Sequence, residues 1–415
     1  METTAAISSM LSARAERGRA LAAAGKVEAL GKVWLVRSQS SSERYVVNLG
    51  EGTCTCPDHE ERGIKCKHVF AAEFTVKQET FTFASDGETV QATRTETKVR
   101  VAYRQPDWPA YHRAQCAEKA TVQSLLRSLC SGIVTPSHPG RGPKPIPLSD
   151  AVYAMTMKVY CGMSARRATG EIEACTEAGH MTRAPHYNST INYFEKAELA
   201  PLLTTLVEES AAPLASIEEA FAPDSTGFST SVYRRWYDAK YGREMKEATW
   251  VKAHAMVGCK TNVVTAIVVT DKDGADSPQL PALVGATQRR FSMRDIVADK
   301  AYLSHDNLAL IEKAGAKPFI PFKTNSRDGG SAAWLRMRGL FLYKADEFFA
   351  HYHQRSNVES TFSAIKRLFG GAIRSKRFAA QRNEVLCKAL AYNLTVLVHA
   401  IHELGIEPFQ ARRMA

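Results

Sequence analysis

The stretch YHQRSNVESTFSAIK, Tyr352 to Lys366, sets one acid, Glu359, among a phenol, Tyr352, and two cations, Arg355 and Lys366. At about 100° per residue these four side chains fall within roughly 60° of one another on a helix. Val358, Phe362, Ile365 and Phe369 take the adjacent arc. The period predicts one helix, with an apolar face packed on the protein and a neighbouring polar face turned outward. The plain alternative is a solvated charged face with an ordinary i,i+4 pair between Arg355 and Glu359.

Two other acids bear on that choice. Asp224 in FAPDSTGF and Asp299 in IVADKAY each close an apolar, β-like run, 75 residues apart, and Glu359 follows Asp299 by 60. Each aspartate alone reads as a turn or cap residue. Together the three acids suit another task. Phosphoryl transfer between nucleic-acid strands uses two hard cations about 3.5–4 Å apart, one activating the attacking oxygen and one stabilising the leaving oxygen. Carboxylates are the natural ligands for Mg²⁺ or Mn²⁺.

On these residues the chain resembles the DDE transposases of bacterial insertion sequences, in the branch with a Tyr-(2)-Arg-(3)-Glu-(6)-Lys signature. Tyr352, Arg355, Glu359 and Lys366 match all four residues and all three spacings, and PDSTGF and VADKAY resemble the two aspartate motifs. The resemblance runs from about Leu148 to Leu404. It implies a ribonuclease H-like α/β core in which Asp224, Asp299 and Glu359 hold two Mg²⁺ or Mn²⁺ ions. It also implies that Arg355 and Lys366 contact transposon-end phosphates, that Tyr352 lies against the same DNA, and that Lys300 and Tyr302 border the site. Ala301 stands where many relatives have glycine, which leaves the ligands untouched. The 60-residue interval from Asp299 to Glu359 has room for a helix, a strand and a connector, and predicts a compact catalytic domain.

Charge agrees with a polyanionic partner: 54 Lys and Arg stand against 43 Asp and Glu in 415 residues, a net +11. From His351 to Arg382 seven cations accompany one acid. The run Lys366, Arg367, Arg374, Lys376, Arg377 and Arg382 reads as a phosphate-tracking surface, with a merely soluble helix end as the alternative. The expected partner is double-stranded DNA, both transposon ends and target. A homodimer or higher assembly on DNA is implied by the resemblance alone.

Nine cysteines, three of them between Cys54 and Cys66, argue for a reducing compartment with one metal site. Cys54-Thr55-Cys56 and Cys66-Lys67-His68 each place two ligands at i and i+2, on one side of an extended chain, so that each pair can bite one tetrahedral ion. Thiolate softness with one imidazole selects Zn²⁺. His59, nearby, reads as a surface residue. The stretch from Lys32 to Phe74 resembles the SWIM zinc finger, which implies a structural zinc in a small ββα module without saying whether it meets DNA, RNA or protein.

The organisation expected is an N-terminal helix over 1–30, the zinc module over 31–75, and a β-hairpin and helix over 76–135 turning at Asp86-Gly87. A Pro/Gly-rich linker follows over 136–147, then a helix-turn-helix-like DNA-binding region over 148–200, the catalytic domain over 215–404 and a tail over 405–415. TPSHPGRGPKPIPLS is the clearest boundary, with five prolines that no helix interior or central strand accepts. Arg141 and Lys144 within it fit an extended minor-groove arm or a plain spacer. LSDAVYAMTMKVYCGM and SARRATGEIEACTEAG read as amphipathic helices capped by Ser149 and Ser164, with a third helix from Asn188; any three-helix bundle has the same texture.

The first residues lack the apolar core of a signal peptide and read as a short exposed helix. ALAYNLTVLVHAI, holding Asn393 and His399, is too short for a membrane span. The expected setting is cytoplasmic, nucleoid-associated and prokaryotic. The function expected is DNA cleavage and strand transfer at terminal inverted repeats. A catalytically retired, DNA-binding regulator and a nuclease without strand transfer are the competing readings.

Overall fold

The structure, a computed structural model, describes residues 14–18, 20–22, 24–30, 33–38, 43–63, 65–75, 77–85, 88–96, 107–135, 145–231, 240–241, 249–323, 325–327 and 329–407. The chain divides into two compact units, Met1–Gln105 and Pro106–Ala415.

In the first unit, β1 (Val27–Leu30), β2 (Val33–Arg37), β3 (Arg44–Asn48) and β4 (Thr53–Cys54) form an antiparallel sheet in that order. Helices α1 (Pro57–Arg62) and α2 (Lys67–Thr75) follow. Gly63, with φ 59°, ends α1 in the left-handed region that glycine enters freely. Trp34, Val36, Val47 and Leu21 close a small core with Val69, Ala71 and Ala72 of α2.

The expectation of a short exposed helix over 1–30 is corrected in two ways. Leu21 and Arg14 are buried, Arg14 forming a two-pronged pair with Asp58 at 2.8 and 3.1 Å. Val27–Leu30 is a strand, because its backbone completes the sheet edge against β2. Beyond α2, β5 (Lys77–Ser85) and β6 (Glu88–Glu96) pair antiparallel from Lys77↔Glu96 to Ser85↔Glu88, as alternation predicts; the Asp86-Gly87 turn lies outside the described residues.

The second unit opens with α3 (Trp108–Cys130), α4 (Leu148–Tyr160), α5 (Thr169–Glu177), α6 (Tyr187–Phe194) and α7 (Leu199–Ala211). Because α3 packs on α4, α7 and the last helix, the division between units falls before α3, at Gln105/Pro106, and not at the proline-rich segment. Residues 136–144 of that segment, Arg141 and Lys144 among them, lie outside the described residues.

α4 is buried on every side from Asp150 to Val159 and is not amphipathic. Pro147, not Ser149, precedes it, and α5 begins at Thr169, after a turn that consumes Ser164. Asp150 accepts from the backbone of Thr182 and Arg183 at 3.1 and 3.0 Å, pinning the α5–α6 turn.

The central sheet runs β9–β8–β7–β10–β11, formed by β7 (Ala220–Ser229), β8 (Trp250–Gly258), β9 (Val264–Thr270), β10 (Asp295–Val297) and β11 (Lys317–Phe319). β7, β8 and β9 make an antiparallel meander, while β10 pairs parallel with both β7 and β11. Helices α8 (Leu280–Gln288) and α9 (His305–Lys313) fill the crossovers that parallel pairing requires. Then come α10 (Ala332–Tyr343), α11 (Ala345–Tyr352), α12 (Ser356–Phe369) and α13 (Phe378–Leu404). Two helices, rather than a β-rich insertion, thus separate β11 from α12 among the described residues.

α13 is long and apolar enough to cross a membrane, yet 78% of its most apolar window is buried in the unit, as in a core helix. Asn393 at its centre explains the polar residue in that run. Its NH2 group donates one hydrogen to the Val264 carbonyl (2.7 Å) and shares the other between the Val207 carbonyl (3.1 Å) and Ser210 Oγ (3.0 Å), and its oxygen accepts from Val264 N (2.9 Å). One side chain therefore ties α13 to β9 and α7.

Candidate active site

Three elements of the sheet's centre converge. Asp224 is the fifth residue of β7, facing Ala255 of β8 in register. It sits within the strand and not at its close, as the sequence reading had it. Among the described residues β10 pairs only with Ala220 and Phe221 of β7, so no described strand lies along the flank of β7 beside Asp224. Asp299 follows β10 by two residues and opens the short 3-10 turn Lys300–Tyr302. Glu359 lies in the first turn of α12.

The continuous helix expected from Tyr352 to Lys366 is interrupted: α11 ends at Tyr352, a 3-10 turn spans His353–Arg355, and α12 begins at Ser356. The break redirects Arg355. Its guanidinium lies 3.2 Å from Asp299 Oδ2, 3.5 Å from Glu359 Oε1 and 4.0 Å from Asp224 Oδ2. All three acids singled out in the sequence thus share one cation. Asp224 is the most buried, and burial pushes its carboxyl above the usual range, against the Ser225 N–H bond and the Arg355 charge.

The geometry of α12 is held from its far end. Lys388 of α13 donates to the carbonyls of Phe369 (2.9 Å) and Ala372 (3.0 Å), and Ser229 at the end of β7 exchanges backbone bonds with Gly371 (3.1 Å) and Ile373 (2.8 Å). The segment leaving α12 is therefore fastened to the strand that carries Asp224. Val358, Phe362, Ile365 and Phe369 are buried, the apolar arc read from the sequence.

The other expected site residues divide. Lys300, next to Asp299 in the chain, and Arg367, about two turns beyond Glu359 on α12, are exposed. Tyr352 packs on Phe348 and Phe349 with ring centroids 6.1 and 6.0 Å away, and is only half turned to solvent. Lys366 lies 5.6 Å from the Phe228 ring centroid, and burial lowers its pKa. Tyr302 is buried, its hydroxyl without a hydrogen-bond partner among the described residues. Of the basic run, Arg374 donates to Gly162 O (3.1 Å), Arg377 pairs with Glu195 (2.9 Å) and Arg382 donates to Ala197 O (3.0 Å). These three fasten the helical region to α13 and are not wholly available to phosphates.

A fourth acid escaped the sequence reading. Asp276, in the loop after β9, lies 2.8 Å from Lys252 Nζ and 3.1 Å from His254 Nδ1. Burial raises its pKa, but hydrogen bonds from Lys252 and Ser225 outweigh that and hold it below the usual range. The next residue, Ser277, accepts from Asn307 (2.8 Å), which also donates to Tyr302 O (2.8 Å). This chain of contacts ties the turn carrying Asp299 to the neighbourhood of Ser225. DKDGADS resembles any acidic loop, and only its contacts with Lys252 and His254 of β8 mark Asp276 out.

In the first unit, Cys54, Cys56, Cys66 and His68 are all buried, with ligand atoms within 4.8 Å of one another. His68 Nδ1 is 3.9 Å from both Cys54 Sγ and Cys66 Sγ. Hydrogen bonding from Cys54, assisted by His68, holds the Cys66 thiol below its ordinary value, while the bond to Cys66 pushes Cys54 up and burial pushes Cys56 up. Three thiols and one imidazole at this separation fit a tetrahedral zinc site.

Each of the two clusters falls within a stretch that matches a known family. Residues 216–394 match the family model described as transposase DDE domain. Part of the second unit is thus similar to a transposase DDE domain. Residues 45–77 match the SWIM zinc finger, spanning all four clustered ligands. The chain is also similar to a protein of Archaeoglobus fulgidus named probable transposase for insertion sequence element ISA1214, with 26% identity over 174 residues. That match covers 42% of this chain and 52% of the relative, so the chain spans about half the length of the curated relative it matches. The DDE match encloses Asp224, Asp299, Arg355 and Glu359, so the shared cation lies wholly inside the matched domain.

Proposed function

We propose that this protein is a DNA transposase that cuts DNA at the ends of an insertion sequence and joins the freed ends to target DNA. The observation that carries the reading is the meeting of Asp224, Asp299 and Glu359, from β7, the β10 turn and α12, on the Arg355 guanidinium. Acids far apart in sequence are drawn within reach of one cation, the arrangement that divalent-ion chemistry needs. The strand order, an antiparallel meander extended by two parallel strands, supports a ribonuclease H-like core.

Asp224, Asp299 and Glu359 would hold two Mg²⁺ or Mn²⁺ ions, which supply activation of the attacking oxygen and charge neutralisation at the leaving oxygen. In the first step water attacks a phosphodiester, the P–O3′ bond breaks and a 3′ hydroxyl is released. In the second, that hydroxyl attacks a target phosphodiester and a new P–O bond replaces the one broken, so no nucleophilic side chain is consumed. Lys300, Arg367, Lys366 and Tyr352 would orient the DNA backbone. Arg355, beyond its carboxylates, has the planar fork suited to a phosphate.

Helix α6 follows the turn pinned by Asp150 and exposes Asn188, Ile191 and Asn192, which favours a helix-turn-helix role in reading terminal repeats. The Cys54, Cys56, Cys66 and His68 set would hold a structural Zn²⁺. A DNA assembly of two or more copies follows if two ends are paired.

The test is strand joining. A duplex ending in the DNA that flanks the gene, with an exposed 3′ hydroxyl, is incubated with a plasmid and Mg²⁺. Covalent joining of the duplex to the plasmid supports the transposase. Cutting without joining would replace it by a nuclease, and binding without cutting by a retired regulator.

A further inference from the structure

Arg355 does more than neighbour one carboxylate. Its Nη2 reaches Asp299 (3.2 Å) and Asp224 (4.0 Å) while Nη1 reaches Glu359 (3.5 Å), and its side chain is 19% exposed. The guanidinium therefore fills the space between the three acids. Among the described residues its buried Nε has no hydrogen-bond partner, so one donor of the fork is unused in this arrangement.

A divalent ion such as Mg²⁺ needs carboxylate oxygens at about 2.0–2.1 Å around one centre. Those oxygens cannot converge on an ion while a guanidinium stands among them. Arg355 is the last residue of the 3-10 turn between α11 and α12, and its four-bond side chain can swing without either helix moving. A DNA phosphate offers the fork two oxygens at once, a bidentate partner that none of its three single-oxygen contacts with the acids supplies.

We infer that Arg355 is a positioning residue that serves as an exchangeable counter-cation. Without DNA it gathers Asp224, Asp299 and Glu359 and excludes divalent ions from them; a DNA phosphate draws it off and opens the carboxylates to metal. This rests on the transposase reading for the identity of the three acids as metal ligands. Because coupling of two binding events is reciprocal, DNA tightens metal binding and metal tightens DNA binding by the same factor. The device confines metal loading to protein that already holds DNA.

The experiment measures Mn²⁺ binding to the full-length, zinc-loaded chain by electron paramagnetic resonance, with and without a duplex from the gene's own flanks. It compares wild type, Arg355→Gln, Arg355→Lys and Asp299→Asn. Without DNA, Arg355→Gln should bind Mn²⁺ about tenfold tighter than wild type, within the usual range of site–site coupling. Adding duplex should tighten wild type by a similar factor and leave Arg355→Gln nearly unchanged.

Arg355→Gln also leaves three acids without their shared cation, so its melting temperature should fall and be restored by Mn²⁺. If that variant does not fold, Arg355→Lys carries the test: a single ammonium cannot bridge three carboxylates, and its Mn²⁺ affinity should lie above that of wild type. Equal or weaker Mn²⁺ binding in both Arg355 variants, with binding abolished in Asp299→Asn, would overturn the counter-cation and leave the carboxylate site standing. Unchanged binding in Asp299→Asn would instead overturn the carboxylate site itself.

Discussion

Replacing Asn393 by leucine tests whether α13 is tied to the sheet as described. The amide is fully buried and makes four hydrogen bonds, both of its bonds to β9 falling on the Val264 backbone. Leucine has nearly the same shape and restores none of them. Leaving the N–H and C=O of Val264 without this partner costs about 1–3 kcal/mol for each group. The added apolar burial returns about 1–2 kcal/mol. Taken at mid-range a net loss of about 2–3 kcal/mol remains, a large part of the roughly 5–15 kcal/mol by which domains are stable.

With a urea slope of about 1–3 kcal/mol per molar, the midpoint should fall by about 1 M or more. The assay is urea unfolding followed by tryptophan fluorescence, the second unit holding the buried Trp334. A midpoint unchanged or raised would mean that Val264 does not depend on Asn393, and that α13 packs on the sheet through its apolar residues alone.

Four further outcomes are expected. Glu359→Gln should lower metal-dependent cleavage on the order of 10³-fold while DNA binding, measured by gel shift, changes little; equal loss of both would make Glu359 structural. Cys66→Ser should release zinc, read by metal analysis, and unfold the first unit while the far larger apolar core of the second persists. Asp276, held below its ordinary value of 3.8, contributes stability that is present above that pH and lost as pH falls through its lower folded value. Asp276→Asn should therefore flatten the acid side of the stability profile, read from melting temperature against pH. Gly274→Ala would bring a methyl within 2.1 Å of Thr270 Oγ1 and should lower the melting temperature by displacing the Asp276 loop.

The parts of this protein that were legible in its sequence are those whose signal is local. Cys54, Cys56, Cys66 and His68 declare themselves by spacing, and so do Tyr352, Arg355, Glu359 and Lys366, because ligand pairs and helix faces follow from a few residues of chain. The apolar runs of β8 and β9 were equally plain. Parts that depend on distant partners were not. The 3-10 break at His353–Arg355 has no proline or glycine to announce it, yet it swings Arg355 onto acids from β7 and β10.

Asp224 looked like a strand end because Pro223 and Gly227 flank it, whereas β8 pairs with β7 along the whole of Ala220–Ser229 beyond its first residue. Arg374, Arg377 and Arg382 read as free cations, since nothing local reveals their acceptors at Gly162, Glu195 and Ala197. α4 appeared amphipathic because burial of its polar residues, Asp150 and Lys158, depends on partners at Thr182 and Glu384.

The most direct test of the central claim uses purified protein and a supercoiled plasmid carrying the gene with its natural flanking DNA, in Mg²⁺ or in chelator, beside Asp299→Asn. The account expects cuts at discrete positions in the flanks that require Mg²⁺ and vanish in the variant. Discrete cuts that persist in Asp299→Asn, or folded and zinc-loaded protein that binds the plasmid and never cuts it, would contradict it.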